Sequence, residues 1–231
     1  MPVGEYDKRI TILTRERGKI SAFARGARRP KSSLQAGTGL FCFGRFEAYE
    51  GRSSYTVVKA EIQNYFLELV QDLDKTYYGC YFLELADYFS QENADCTNQL
   101  KLLYQTLRAL SVKSLDHHLV RCIYELKTLA FYGVSPNVFS CTKCGAKEQL
   151  HWFHMDSRGT LCEECKGQTA AYSLDDAALY TLQYIITSPV EKLYTFTVTE
   201  PVLQKISRII SQFMSLYAEK DFNSLMFLPE G

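Results

Sequence analysis

No stretch of the 231 residues approaches the run of about 18 apolar residues that a membrane-spanning helix requires. The first residues, MPVGEYDKRI, lack the charged-then-apolar pattern of a secretion signal. Both absences lead to the expectation of a soluble chain that is not exported. There is no internal repeat and no low-complexity tract, and an apolar fraction of 46% excludes a disordered chain. Catalytic signatures are missing too: no phosphate-cradling GxxxxGK(S/T), no GxSxG and no HExxH. His117-His118 opens a helical segment, yet adjacent helical residues point about 100° apart, and no nucleophile is tied to them by sequence. The expectation is a protein that makes and breaks no covalent bonds.

Net charge is also missing, since 26 Lys and Arg balance 26 Asp and Glu. That balance conceals an asymmetry along the chain. Residues 1–59 hold 12 basic against 5 acidic side chains, an excess of +7, and the remainder holds 14 against 21. A basic segment on an otherwise acidic chain is a recognised sign of a nucleic-acid-binding end.

What is present is periodicity of two kinds. Arg9–Thr14 and Lys19–Ala24 alternate branched or aromatic with polar residues around Glu16-Arg17-Gly18, predicting a hairpin. Leu40–Tyr49 and Tyr55–Phe66 predict a second pair around the polar turn at residues 50–54. Several short strands within about 65 residues suggest a small antiparallel barrel or sheet. From about residue 68 the period becomes helical: Tyr77, Tyr81, Leu85, Tyr88 and Phe89 make one stripe, and Leu100–Leu110 and Leu119–Tyr132 repeat the pattern. Gly133 followed by Pro136 ends the last of these. Further helices are expected over Asp175–Thr187, with acids in its first turn, and over Pro201–Ala218. These signals divide the chain into a basic β-domain at 1–67, helical segments at 68–137 and 173–231, and an insertion at 138–172.

The insertion carries the sharpest motif, Cys141-Thr-Lys-Cys144, then 17 residues, then Cys162-Glu-Glu-Cys165. Each CxxC turn aims two sulfurs inward, so two such turns match a four-thiolate zinc site. Two disulfides are the competing reading, which a non-secreted chain disfavours. Four thiolates leave no open coordination position, so the expected role is structural. His151 and His154, three apart in an extended segment, fall on opposite faces and are not expected to share a metal. Cys42, Cys80 and Cys122 are expected to be buried small apolar residues, and Cys96, in a polar loop, an exposed thiol.

The second concentration of chemistry is Arg25-Gly-Ala-Arg28-Arg29-Pro-Lys31, four cations in seven residues just after a strand. Such a loop can follow phosphates, its Gly and Pro permitting close backbone approach. Its bland alternative is an ordinary solvated loop. Arg9, Arg15, Arg17 and Lys19 are expected near it through the hairpin. Phe23, Phe41, Phe43, Phe46, Tyr49 and Tyr55 are available to stack on bases, though most should be core.

The order of these parts resembles the RecO family of bacterial recombination mediators. The likeness rests on GEYDKRITILTRERGKISAFARGARRPKSSLQAG, on FYGVSPNVFSCTKCG, on LCEEC and on the closing KDFNSLMFL. It implies an α+β multidomain protein: an N-terminal OB-fold, then a helical domain with an embedded module holding one structural Zn²⁺. It also implies a DNA repair and recombination mediator, cytoplasmic and nucleoid-associated. Such a protein binds single- and double-stranded DNA, anneals complementary strands, and acts with RecR and the single-strand-binding protein to load RecA. Family members normally begin with a strand upstream of GEYDKR. Only Met1-Pro2-Val3 precede that motif here, so either the start is misassigned, the chain is shortened, or the barrel lacks its first strand. The acidic, apolar tail of the single-strand-binding protein would need a cation-rimmed pocket, for which Arg108, Lys113, Arg121 and Lys127 are candidates. An alternative is an RNA-binding or transcription-associated zinc ribbon contacting nucleic acid through Lys143, Lys147, Arg158 and Lys166. Glu148, Asp156, Glu163 and Glu164 oppose those cations four against four.

Overall fold

Alternation in the first hairpin becomes a sheet with one small, dry face. In the computed structural model, which describes residues 1–219 and 222–228, β2 (Asp7–Leu13) and β3 (Lys19–Ala24) pair antiparallel from Lys8↔Ala24 to Leu13↔Lys19. Ile20, Ala22 and Ala24 point inward, as period two requires. Ala22, Ala24, Ala27, Leu34 and Val57 form the core, closed by Ile10, Ile12, Phe46, Tyr55 and Ala60. Of these, Ala27 comes from the basic loop and Leu34 from the short helix α1 (Leu34–Gly37).

β4 (Phe43–Glu50) and β5 (Tyr55–Asn64) make the second hairpin, irregular at Phe43/Gly44 and at Glu47/Ala48. Such irregularities bend a strand, and at Gly44 a Cβ would stand 2.2 Å from the Glu61 carbonyl oxygen, so only glycine fits. β5 meets β3 in parallel, Ala22 opposite Tyr55, which makes the sheet mixed where an all-antiparallel one was expected. The strand upstream of GEYDKR is present only as a stub. Pro2–Val3 form a two-residue strand, β1, on Lys8 and Asp7, giving the order β1-β2-β3-β5-β4 among the described residues.

The chain falls into two compact units, Met1–Ser111 and Val112–Gly231. The first therefore extends beyond the sheet to α2 (Leu67–Val70), α3 (Leu73–Phe89) and α4 (Thr97–Ala109). Its cohesion is aromatic: Tyr104 of α4 meets Phe43 at 4.4 Å and Phe66 at 5.5 Å between ring centroids, and Gly79 of α3 lies under the Phe41 ring. Tyr78, Tyr81, Phe82, Leu85, Ala86 and Phe89 form the buried face of α3, so the expected stripe is centred off Tyr77 and Tyr88. Asp72, outside α3, caps it by accepting the Lys75 N–H. Because residues 60–111, with 3 basic against 8 acidic side chains, join the basic sheet, the first unit holds 15 basic against 13 acidic residues and the second 11 against 13.

The second unit is built on α5 (His117–Tyr132), α7 (Asp176–Thr187) and α8 (Glu200–Ser215). Asp116 caps α5 through the His118 and Leu119 N–H groups, and Gly133 ends it at φ 87°. Along α8, Val202, Leu203, Ile206, Ile209, Ile210, Phe213 and Met214 recur at helical spacing and are buried. The cysteine insertion forms a three-stranded sheet, β7-β6-β8, from β6 (Trp152–His154), β7 (Gly159–Leu161) and β8 (Tyr172–Ser173), with α6 (Glu163–Lys166) between β7 and β8. It packs into its unit through Phe153 on Phe213, 6.0 Å between centroids, and through Leu179 of α7. No helix among the described residues is long and apolar enough to cross a membrane. In the closing KDFNSLMFL, Lys220 and Asp221 lie outside the described residues.

Candidate nucleic-acid interface and metal centre

The basic loop leaves β3 at Ala24 and is caught at once by the segment that precedes β2. Asp7 Oδ1 accepts the Gly26 N–H at 2.7 Å, the Tyr6 carbonyl accepts the Arg28 N–H at 2.9 Å, and the Gly4 carbonyl accepts Arg28 Nη1 at 3.3 Å. The Arg29 guanidinium lies over the Tyr6 ring, 5.1 Å from its centroid. Gly26 sits at φ +66°, in the left-handed region that glycine enters at no steric cost. Ala27 is fully buried in the core and anchors the loop from below. Lys8 Nζ braces the far end, donating to the Thr38 carbonyl and hydroxyl at 3.3 Å each. GEYDKR is therefore the cradle of the arginine loop, a pairing that hydropathy alone does not reveal.

With its backbone held, the loop turns its charges outward. Arg25, Arg28, Arg29 and Lys31 are exposed, and none forms an ion pair among the described residues. Arg9 is exposed beside them, its Nε donating to Ser21 Oγ at 2.9 Å, with Phe23 as its cross-strand neighbour. Arg15, Arg17 and Lys19 do not join this group. The hairpin pairs as expected, but its turn and its open end are opposite ends of a ribbon, five residue steps or roughly 17 Å apart. At the turn, Arg15 pairs with Glu16 at 2.9 Å and Lys19 with Asp87 at 3.3 Å. The turn itself is fastened to residues 91–96: the Lys19, Asn93 and Cys96 N–H groups donate to the carbonyls of Gln91, Arg17 and Arg15. A Cβ on Gly18 would stand 2.0 Å from the Gln91 oxygen. That fastening buries Cys96 to 2% exposure, contrary to the exposed thiol expected; Cys42 and Cys80, expected to be buried, are half-buried.

Among the stacking candidates, Phe41 is buried, Phe46 and Tyr55 pack on the core, and Tyr49 is 54% exposed. Tyr6, under Arg29, is the aromatic that sequence reasoning missed; its signal is the proximity that pairing of β2 and β3 imposes on residues 6 and 26–29.

In the second unit, the four sulfurs of Cys141, Cys144, Cys162 and Cys165 all lie within 4.8 Å of one another and could hold a metal ion. Cys144 Sγ and Cys162 Sγ are 3.7 Å apart, far beyond a disulfide bond and close to the about 3.8 Å edge of a tetrahedron with metal–sulfur bonds of about 2.3 Å. Each CxxC closes on its own turn. Gly145 N–H donates to the Cys141 carbonyl at 2.9 Å, with Gly145 at φ 80°, and Lys166 N–H donates to the Cys162 carbonyl at 3.0 Å.

Burial opposes ionisation of Cys141, but the N–H groups of Cys162, Cys144 and Lys143 aimed at its sulfur outweigh it and bring the thiol down to about 6. Its neighbours act oppositely on Cys165: hydrogen bonding with Cys144 and Cys162 pushes that thiol up to about 12. Four sulfurs this close cannot all become thiolates without a cation among them. His151 and His154 lie outside the cluster. His151 Nε2 is 3.6 Å from Asp176, and His154 Nδ1 accepts the Ser157 N–H at 3.2 Å.

Several cations of this module are engaged within it. Lys143 Nζ donates to the Cys165 carbonyl at 3.1 Å, Lys166 lies 4.4 Å over Trp152, and Arg158 lies 5.4 Å over Tyr217. The partner-site candidates are similarly occupied. Lys127 is 5% exposed and donates to the Ile186 and Ser188 carbonyls at 2.7 Å each, serving the end of α7. Arg121 binds the buried Glu125 at 2.7 Å. Arg108 and Lys113 are exposed but belong to different units. Spacing on a helix gave no indication that α7 covers this face of α5.

Two family models match the chain: residues 1–66 fit the one described as Recombination protein O N terminal, and residues 70–226 the one described as Recombination protein O C terminal. A protein named DNA repair protein RecO from Acetivibrio thermocellus is 32% identical over 227 residues, covering 97% of this chain and 90% of its own. Its namesake from Moorella thermoacetica is 30% identical over 230 residues (98% and 85%), and that from Alkaliphilus metalliredigens 28% over 225 residues (96% and 92%).

Proposed function

The chain belongs to the RecO family, and from that premise we propose that it is a DNA repair and homologous recombination mediator whose DNA contact is the arginine loop. The observation that carries this reading is the loop's construction: Arg25, Arg28, Arg29 and Lys31 stay in water on a backbone fixed by Asp7 and Tyr6. A rigid row of cations suits the phosphates of single- and double-stranded DNA alike, because phosphate contacts carry no sequence information. Strand annealing follows from the same surface. Bringing two polyanions onto one cationic face lowers their repulsion while the bases pair unaided, so the reading requires no covalent step and no enzyme activity. With RecR, the protein would then help RecA onto DNA coated by the single-strand-binding protein, in the cytoplasm at the nucleoid.

Binding of a labelled oligothymidylate across a salt series tests the assignment. Replacing the four loop cations together by Ala should flatten the salt dependence by about 3 logarithmic units of slope, at about 0.7 per lost phosphate. It should also abolish acceleration of annealing between complementary oligonucleotides. Unchanged affinity in that variant rejects this loop as the DNA contact.

We further propose that Cys141, Cys144, Cys162 and Cys165 hold one structural Zn²⁺. The chain supplies two preformed CxxC turns and N–H groups that favour the Cys141 thiolate. Zn²⁺, when bound, supplies charge neutralisation and a cross-link, with no coordination position left for a substrate. The zinc-ribbon alternative, in which this module itself grips RNA, is disfavoured because Glu148, Asp156, Glu163 and Glu164 balance Lys143, Lys147, Arg158 and Lys166, leaving the module without the cation excess that phosphates require.

A further inference from the structure

The remaining question in the first unit is what an acidic residue is doing in the DNA-binding face. Asp7 stands beside Lys8, is half-buried, and points its carboxylate at the loop that carries Arg25, Arg28, Arg29 and Lys31. On charge alone it opposes the proposed function, since an anion among phosphate-binding cations weakens the attraction for a polyanion. Its geometry suggests another role. The 2.7 Å bond from Gly26 N–H holds the loop where the backbone enters its left-handed turn. The next anchors follow in order: Ala27 in the core, Arg28 N–H on the Tyr6 carbonyl, and Arg29 on the Tyr6 ring. Without the first anchor, each arginine must be ordered at the moment of binding, and that entropic cost comes out of the affinity.

We infer that Asp7, assisted by Tyr6, is a positioning residue of the DNA-binding surface: its carboxylate holds the Gly26 N–H so that the loop presents its cations in one fixed row. The inference rests on the DNA-binding reading above and predicts an effect opposite in sign to simple electrostatics. Removing this negative charge weakens DNA binding.

The experiment titrates the full chain with fluorescein-labelled oligothymidylate over a series of KCl concentrations, with circular dichroism to verify folding. Asp7→Ala should bind roughly five- to tenfold more weakly, with a salt slope shallower by about 0.7 to 1.4, the equivalent of one or two lost phosphate contacts. Asp7→Asn, whose amide oxygen can still accept the Gly26 N–H, should bind as tightly as the parent or more tightly. An Ala variant that binds as well as or better than the parent with an unchanged slope overturns the inference, as does an Asn variant that loses as much as the Ala variant. Should Asp7→Ala fail to fold, Tyr6→Leu decides: a weaker, less salt-dependent complex is expected, and parental binding overturns the role. The fourfold Ala variant of the loop runs in parallel. If it retains parental affinity, the DNA reading itself fails; if it loses affinity while Asp7→Ala does not, only the positioning role fails.

Discussion

The arginine loop and the cysteine module are irregular segments of similar purpose, each fixing a cluster of like-charged groups, and they do it in opposite ways. Around the loop, the Asp7 carboxylate, the Tyr6 carbonyl and the Tyr6 ring hold the chain while the cations remain exposed. In the module the ionisable atoms face inward, with sulfurs converging within 4.8 Å. A site that must meet a large polyanion keeps its charge in water, where only ordering costs matter. A site that must hold a chain together concentrates charge and depends on a counter-ion to remove the repulsion. The charge split of +7 and −7 at residue 59 softens to 15 against 13 and 11 against 13 in the compact units because the first unit also takes in residues 60–111, with 3 basic against 8 acidic side chains. The cation excess belongs to a loop and a strand end, not to a domain.

The sharpest way to break this comparison is to remove the Zn²⁺ proposed for the module. A metal chelator, or Cys162→Ala, should destabilise the second unit by several kcal/mol and lower its unfolding midpoint by about 10 °C or more. Oligothymidylate affinity measured below that transition should stay within about twofold, since the loop's anchors all lie in the first unit. A comparable loss of DNA binding on chelation would mean that the two segments act as one site. The fourfold loop variant is the mirror case, with affinity at moderate salt lower by roughly tenfold to a hundredfold and thermal stability unchanged within about 0.5 kcal/mol.

A smaller effect separates packing from charge inside the second unit. Burial pushes the Lys127 ammonium down from its usual value. An unfolded chain therefore holds this proton to higher pH than the folded one, and folding stability gains from Lys127 as pH rises from the folded value toward the unfolded one. Lys127→Met, measured by urea unfolding from neutral to alkaline pH, should lose that increment. A parallel pH dependence in both proteins would contradict it.

The smallest expected change is at Asp175, which caps α7 and pairs with Lys205. The Lys205 ammonium, followed by the Ala178 N–H, holds its carboxyl below the usual range. Its contribution is fully present above the unfolded value near pH 4 and is lost as pH falls through the lower, folded value. Asp175→Ala should cost about 1 kcal/mol at neutral pH and less in acid, as followed by thermal unfolding.

Local patterns were legible to the extent that their physics is local. β3 begins and ends where alternation places it, α5 ends at Gly133, and two CxxC pairs announce four converging sulfurs. Misreadings occurred where a second segment decides the environment. Cys96 sits among polar neighbours in sequence, but its loop folds over the first hairpin turn and buries it. Lys127 occupies a helical position that reads as surface until α7 brings two carbonyls to it. Arg15, Arg17 and Lys19 are near the loop in number and distant along the ribbon. Tyr6 and Asp7 stand in a recognisable motif, yet their task is visible only once β2 and β3 pair.

The fastened turn at Gly18 also has a practical side. Hairpin tips are the customary places to insert a reporter or attach a probe, but the tip between β2 and β3 is a structural joint: Gly18 has no room for a side chain against Gln91, and the neighbouring backbone is tied to residues 91–96. The tip between β4 and β5, Gly51 to Ser53, is exposed and closed by the Gly51 N–H on the Ser54 carbonyl. A fluorophore or cross-linker placed at Ser53 leaves the first unit's joints untouched, whereas the same modification at Gly18 would disrupt the fold it was meant to report on.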